Sequence, residues 1–305
     1  MHRPVEMVEV GARDGLQNEP ELVPTETKIA LIEQMMDTGA RRIEVASFVH
    51  PKWVPQMADA EAVVAGLPKR DDVTYVGLVL NKRGLLRALD SRDSGGGIDE
   101  VGCVAVASDG FGEKNQGMGW EASIDVVRDI CRLAHAEDMA VQATISVAFG
   151  DPFDGAVPMA RVVDMAKRIA EENPKELALG DTIGVAVPAQ VTELFSRLRE
   201  AIPHIPLRAH FHNTRNTGIA NVWAAYQAGV SIIDASLGGL GGCPFAPKAT
   251  GNVATEDVVY MLAQSGVDSG LDLDRLIAAA RWFEGKIGKP LPSMLARAGG
   301  FPTGQ

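Results

Sequence analysis

The chain is poor in cysteine. Cys103, Cys131 and Cys243 are the only three in 305 residues, and no two stand at CxxC spacing. That excludes a disulfide-stapled fold and a thiolate zinc finger, and an odd, low count points to a reducing compartment. Long apolar runs are missing too. None approaches the roughly 20 residues of a membrane span, so no membrane partner is expected. The strand-like "VEMVEV" follows only four residues, leaving no room for a leader, and a soluble, cytoplasmic protein is the expectation. Net positive charge is also absent. At −11 the surface does not suit nucleic acid or anionic lipid, and an anionic substrate needs locally placed Arg, Lys or N–H groups. No GxGxxG follows the first strand, which counts against a dinucleotide-binding sheet.

What the chain does contain is alternation. Strand-like runs stand at residues 5–10, 42–47, 74–80, 100–107, 140–149, 176–181, 207–212 and 231–239. Helical periodicity fills the gaps, as in "TETKIALIEQMMDTGA" and "PMARVVDMAKRIAEEN". Thr25 is expected to cap the first helix and Gly39 to end it, and Asn173-Pro174 stops the helix ahead of the sixth strand. Eight strands with helices between them, in a chain of this length, predict an α/β fold: a (β/α)8 TIM barrel over residues 1–305, one domain with a short C-terminal helical extension from about 271. A doubly wound open sheet shares the alternation and is the alternative.

Active sites of such barrels lie at the C-terminal strand ends, and polar residues gather there. The stretch "RAHFHN" puts His210 and His212 two apart on a strand, hence on one face. Paired imidazoles on a buried strand can be core residues bonded to carbonyls, or they can hold a metal. On the second reading the other ligands are oxygens, with Asp14 past the first strand and Asn252 past the eighth as candidates. Two imidazoles, a carboxylate and an amide oxygen favour octahedral Mg2+ or Mn2+, and zinc or cobalt also accepts imidazole. Arg13 either pairs with Glu9 or Glu19 at a loop end or stabilises a developing oxyanion. Glu44, a carboxylate in an apolar strand, needs a partner, and Arg13 is the natural one. Asp181 is a helix cap or a site residue. Cys103 and Cys131 read as packing residues, whereas Cys243 in "GGLGGC" sits on a glycine-rich loop from which a thiol can exchange a proton.

"VEVGARDGLQNEP", "IEVASFVHPKWVPQM", "LALGDTIGVAVP", "HFHN" and "SLGGLGGCPFAPKATGNVATEDVVYML" resemble the 3-hydroxy-3-methylglutaryl-CoA lyase family from about Val5 to about Gly288. An RD after the first strand with HxH on the seventh also suits the related condensing enzymes, such as isopropylmalate synthase, and the GLGGCP loop favours a lyase. The resemblance implies metal ligation by Asp14, His210, His212 and Asn252. It implies carbonyl polarisation by Arg13, substrate contact by Gln17, support of Arg13 by Glu44, and catalysis by Cys243. Asp181 and Glu256 carry over as supporting residues. The implied reaction is retro-Claisen cleavage of hydroxymethylglutaryl-CoA to acetoacetate and acetyl-CoA, as in leucine breakdown, with Mg2+ or Mn2+. Asp14, His210 or a metal-bound hydroxide is the initial base. An acyl-CoA substrate is the expected partner, CoA phosphates have Lys52 and Lys248 within the loops, and a homodimer is expected. Departures at Asn213 and Arg215 keep another 3-hydroxyacyl-CoA, such as citramalyl-CoA, open as substrate. A barrel that only binds is the remaining alternative.

Overall fold

The computed structural model describes residues 3–242 and 251–302. Cys243 and Lys248, both singled out above, lie outside them. Eight parallel strands close in sequence order into a barrel: β1 Glu6–Glu9, β2 Arg42–Ser47, β3 Thr74–Leu78, β4 Glu100–Val106, β5 Ala140–Ser146, β6 Leu177–Asp181, β7 Leu207–Phe211 and β8 Ile232–Ala235. Closure is direct, since β1 pairs with β8 from Glu6↔Ile232 to Glu9↔Ala235. The predicted TIM barrel is therefore the fold, and the open sheet is excluded.

Alternation along each strand separates two environments. Outward residues such as Ile43, Val45, Val101, Cys103, Ala143, Leu179, Ala209 and Phe211 join one large apolar core under the surrounding helices. Inside the barrel, among the described residues, Val8, Val10 and Ile232 form a small apolar cluster of their own, and Leu78 and Val104 line the cavity at its mouth. Much of the remaining interior is polar, where barrels of this kind usually stack branched aliphatic side chains. Arg42, Glu100, Gln142, Glu176, Arg208 and Asp234 are all buried there.

Some boundaries differ from the sequence reading. Thr25 is the first residue of the helix Thr25–Asp37 rather than its cap; Pro24 precedes it, and the Thr25 hydroxyl donates to Asp59 at 2.7 Å. The last strand stops at Ala235, four residues early. Gly238 and Gly239 turn left-handed at φ +67° and +71°, and the chain leaves the sheet in a 3-10 turn, Leu237–Gly239. β5 ends at Ser146 because Val147 has φ +49°. Beyond the barrel follow the helix Leu273–Ile287 and a further short helix, Leu295–Ala298. Among the described residues, no helix is long and apolar enough to cross a membrane.

Candidate active site at the barrel mouth

Leaving β1, the backbone winds into a π-helical turn, Gly11–Gly15, which carries Arg13 and Asp14 over the mouth. Glu9 anchors this turn from below. Its carboxylate accepts from the N–H groups of Gly11 and Leu237 at 2.8 and 2.9 Å and from the Thr255 hydroxyl at 2.6 Å. One buried side chain thus ties β1 to the turn after β8 and to the helix Thr255–Gln264. Burial raises the Glu9 pKa to about 7 even though these three donors pull it down. Glu9 serves as this anchor and not as the partner of Arg13; Glu19 is occupied with Lys289 at 2.5 Å.

Arg13 pairs with Glu44, as the lone carboxylate in β2 suggested. Its Nε donates to Glu44 Oε2 and Nη1 to Asp14 Oδ1, both at 2.7 Å, while Nη2 is ion-paired with Glu44 Oε2 at 2.5 Å. Two of its five N–H groups are thereby hydrogen-bonded, and the others make no hydrogen bond among the described residues. Arg13 has 11% side-chain exposure and lines the cavity.

Side chains of Arg208, His210 and His212 follow one another up the inward face of β7. The Nε2 atoms of His210 and His212 lie 4.0 and 3.9 Å from Asp14 Oδ2. One potential ligand atom from each of the three residues falls within 4.8 Å of the others. These separations are too long for hydrogen bonds. They are also wider than the roughly 3 Å between neighbouring ligand atoms of an octahedral cation with bonds of about 2.0–2.1 Å, so the three side chains would draw together around an ion. Asn252 is at the same place but presents its nitrogen, with Nδ2 donating to Asp14 Oδ2 at 2.8 Å and to the Leu240 carbonyl at 3.0 Å. Ligation through its oxygen requires the amide to turn over. Burial opposes ionisation of Asp14, but Arg13 and the two histidines outweigh it and hold the carboxyl well below its usual range. Across the interior, Asp14, Glu44, Glu100, Glu176 and Asp234 face the guanidinium groups of Arg13, Arg42 and Arg208, with Lys175 at the lower rim. A dication among the mouth ligands suits that excess of carboxylate, so the residues present fit the metal that the sequence implied.

Above the trio a cavity of about 160 Å3 is lined on its apolar side by Leu78, Leu80, Val104 and Phe111, with Gln17, Thr144 and Ser146 as polar groups. Gln17 lines it, and its buried Oε1 has no partner among the described residues. Asp181 does not cap the following helix, Pro188–Ala201, which Val187 precedes; its oxygens accept from the Val185 and Ala186 N–H groups at 2.8 and 3.1 Å and hold the loop ahead of that helix. Glu256 accepts from the Gly238 N–H at 3.0 Å, supporting the turn after β8. Asn213 and Arg215 do not line the cavity. Asn213 accepts from the Gly218 N–H at 3.0 Å, and Arg215 donates to the Ile183 and Gly184 carbonyls at 2.8 and 3.0 Å.

Sequence reasoning missed Arg208 and Asp234. Asp234 on β8 accepts from Arg208 Nη1 at 3.0 Å and lies 3.1 Å from His210 Nδ1. The signal was available: Arg208 shares the parity of the two histidines, and Asp234 interrupts an apolar strand just as Glu44 does.

With that geometry established, the family can be assigned. The HMGL-like family model matches residues 4–282. The chain belongs to the HMGL-like family. Among its relatives, hydroxymethylglutaryl-CoA lyase YngG of Bacillus subtilis is 43% identical over 95% of each chain. The (R)-citramalyl-CoA lyase of Chloroflexus aurantiacus is 39% identical, covering 97% of this chain and 95% of its own. A solved HMG-CoA lyase from Acinetobacter baumannii, in complex with coenzyme A and 3-methylmalate, superposes with a TM-score of 0.92 at 38% identity. That alignment covers 99% of this chain and 97% of the other. Relatives in the family thus include lyases for more than one acyl-CoA.

Proposed function

We propose that this protein is a divalent-metal-dependent hydroxymethylglutaryl-CoA lyase, cleaving its substrate to acetoacetate and acetyl-CoA. The observation that carries the reading is the convergence of Asp14, His210 and His212 beside the free donors of Arg13. Asp14, His210 and His212 would hold Mg2+ or Mn2+, with Asn252 beside them. When bound, that ion lowers the pKa of the substrate's C3 hydroxyl and holds the substrate's oxygens in place.

A general base, His210 or a hydroxide in this reading, takes the C3 hydroxyl proton, the C2–C3 bond breaks, and its electron pair passes into the thioester enolate as acetoacetate departs. The N–H groups of Arg13 that make no hydrogen bond among the described residues would meet the thioester oxygen as it gains negative charge, and Glu44 holds the guanidinium in place. Asp14, held far below the ordinary carboxylate range, is a poor proton acceptor, and its role is ligation. Gln17, which lines the same cavity, would contact substrate there. Cys243 supplies the proton that converts the enolate carbon to the methyl of acetyl-CoA; unchanged turnover in Cys243→Ser would remove it from this role.

The test is acetoacetate release from hydroxymethylglutaryl-CoA with Mg2+, with Mn2+ and with EDTA. Release that EDTA abolishes and Mn2+ restores is the expected result, and release indifferent to chelation contradicts the reading. The citramalyl-CoA lyase relative favours a second substrate for the same machinery, so citramalyl-CoA belongs in the assay.

A further inference from the structure

The two histidines of the mouth are not equivalent. Nδ1 of His212 is buried without a partner among the described residues, whereas Nδ1 of His210 faces Asp234 Oδ2 at 3.1 Å. An ionised carboxylate only accepts, so this contact places a ring hydrogen on Nδ1 and makes Nε2 the atom turned toward Asp14. The constraint is only as firm as Asp234 itself. Its other oxygen is held by Arg208 Nη1 at 3.0 Å. Arg208 is held in turn by an ion pair with Glu176 Oε1, 2.9 Å from Nε but without hydrogen-bond geometry, and by the Thr144 hydroxyl, 3.3 Å from Nη2. Arg208 and Asp234 are 3% and 5% exposed and meet water only through the cavity they line.

We propose that Arg208 is a positioning residue for metal binding, acting through Asp234 to fix the ring orientation and tautomer of His210. This rests on the metal reading above and deepens it. The planar guanidinium is what allows one side chain to meet Glu176, Asp234 and Thr144 together, and a lysine ammonium keeps the charge without the fork. Partners that orient a ligating imidazole commonly change metal affinity about 10- to 100-fold when removed.

The experiment is a Mn2+ titration of the chelator-stripped full chain, read by electron paramagnetic resonance. It compares the wild type with Arg208→Lys, Asp234→Asn and the double variant, with a melting temperature for each apo-protein. Both single variants are expected to weaken the Mn2+ Kd about tenfold or more. The double variant should match Asp234→Asn alone, because Arg208 acts through that carboxylate. Turnover at saturating Mn2+ should lose kcat more than it changes substrate KM. Lower melting temperatures with an unchanged Kd would make Arg208 merely structural and overturn the inference, as would additive losses in the double variant. Should Arg208→Lys fail to fold, Asp234→Asn and Thr144→Val test the same chain of contacts, and unchanged Kd in both overturns it. No Mn2+ binding by the wild type would instead remove the metal reading itself.

Discussion

Arg13 gives two of its five N–H groups to Glu44 and Asp14 and keeps others for a substrate oxygen, a division that makes a specific kinetic claim. A contact that strengthens as charge develops lowers the barrier more than it tightens ground-state binding. Arg13→Met should therefore lower kcat by about 10^2- to 10^3-fold while KM moves much less. Steady-state kinetics checks this, and a pure KM effect would make Arg13 only a binding residue. At this scale the sequence was legible where a residue type was out of place. His210 and His212 shared a face, and Glu44 was a charge in an apolar strand, so each demanded a partner. Asn213 and Arg215, half-buried and exposed beside a motif, carry no sign in the sequence of whether they face the cavity or a neighbouring backbone. Both are committed to backbone groups.

Among elements, the turn after β1 and the turn after β8 matter most, and Glu9 joins them. Between its ordinary value of 4.5 and about 7, the folded chain holds a proton on Glu9 that the unfolded chain has released. Stability from this group is therefore complete below the ordinary value and falls as pH rises through that window, by at most about 1.4 kcal/mol per pH unit. Glu9→Gln keeps an acceptor for Gly11 and Leu237 and can donate to Thr255, so it should flatten the decline. Urea unfolding at pH 5 and pH 7.5 reads the difference, and an unchanged pH slope in the variant contradicts the assignment. Glu9 was invisible in this role because its partners lie 228 and 246 positions away. Strand order was legible from periodicity. The early end of β8 was not, because "SLGG" continues the apolar pattern while its glycines turn left-handed.

For the whole molecule, the unforeseen feature is the charged barrel interior. Contacts run without a break from Lys175 at the lower rim through Glu100, Arg42, Glu176, Arg208 and Asp234 to His210 at the mouth. The residues come from β2, β4, the start of β6, β7 and β8, and only Lys175–Glu176 and Arg208–His210 are near one another in sequence, so no local pattern announces the network. Such buried groups are costly when unpaired. Arg42→Met, which strips Glu100 and Glu176 of their shared partner, should destabilise the fold by about 3–5 kcal/mol in denaturant unfolding. A loss under about 1 kcal/mol, the range of exposed ion pairs, would mean that the interior is wetter than the burial indicates. The same architecture presents the metal trio, the arginine fork and the cavity to one substrate, and the central claim is which substrate that is. The most direct measurement is kcat/KM for hydroxymethylglutaryl-CoA and for citramalyl-CoA, side by side in Mn2+. Our account predicts acetoacetate release and the larger kcat/KM with hydroxymethylglutaryl-CoA. Cleavage confined to citramalyl-CoA would contradict it.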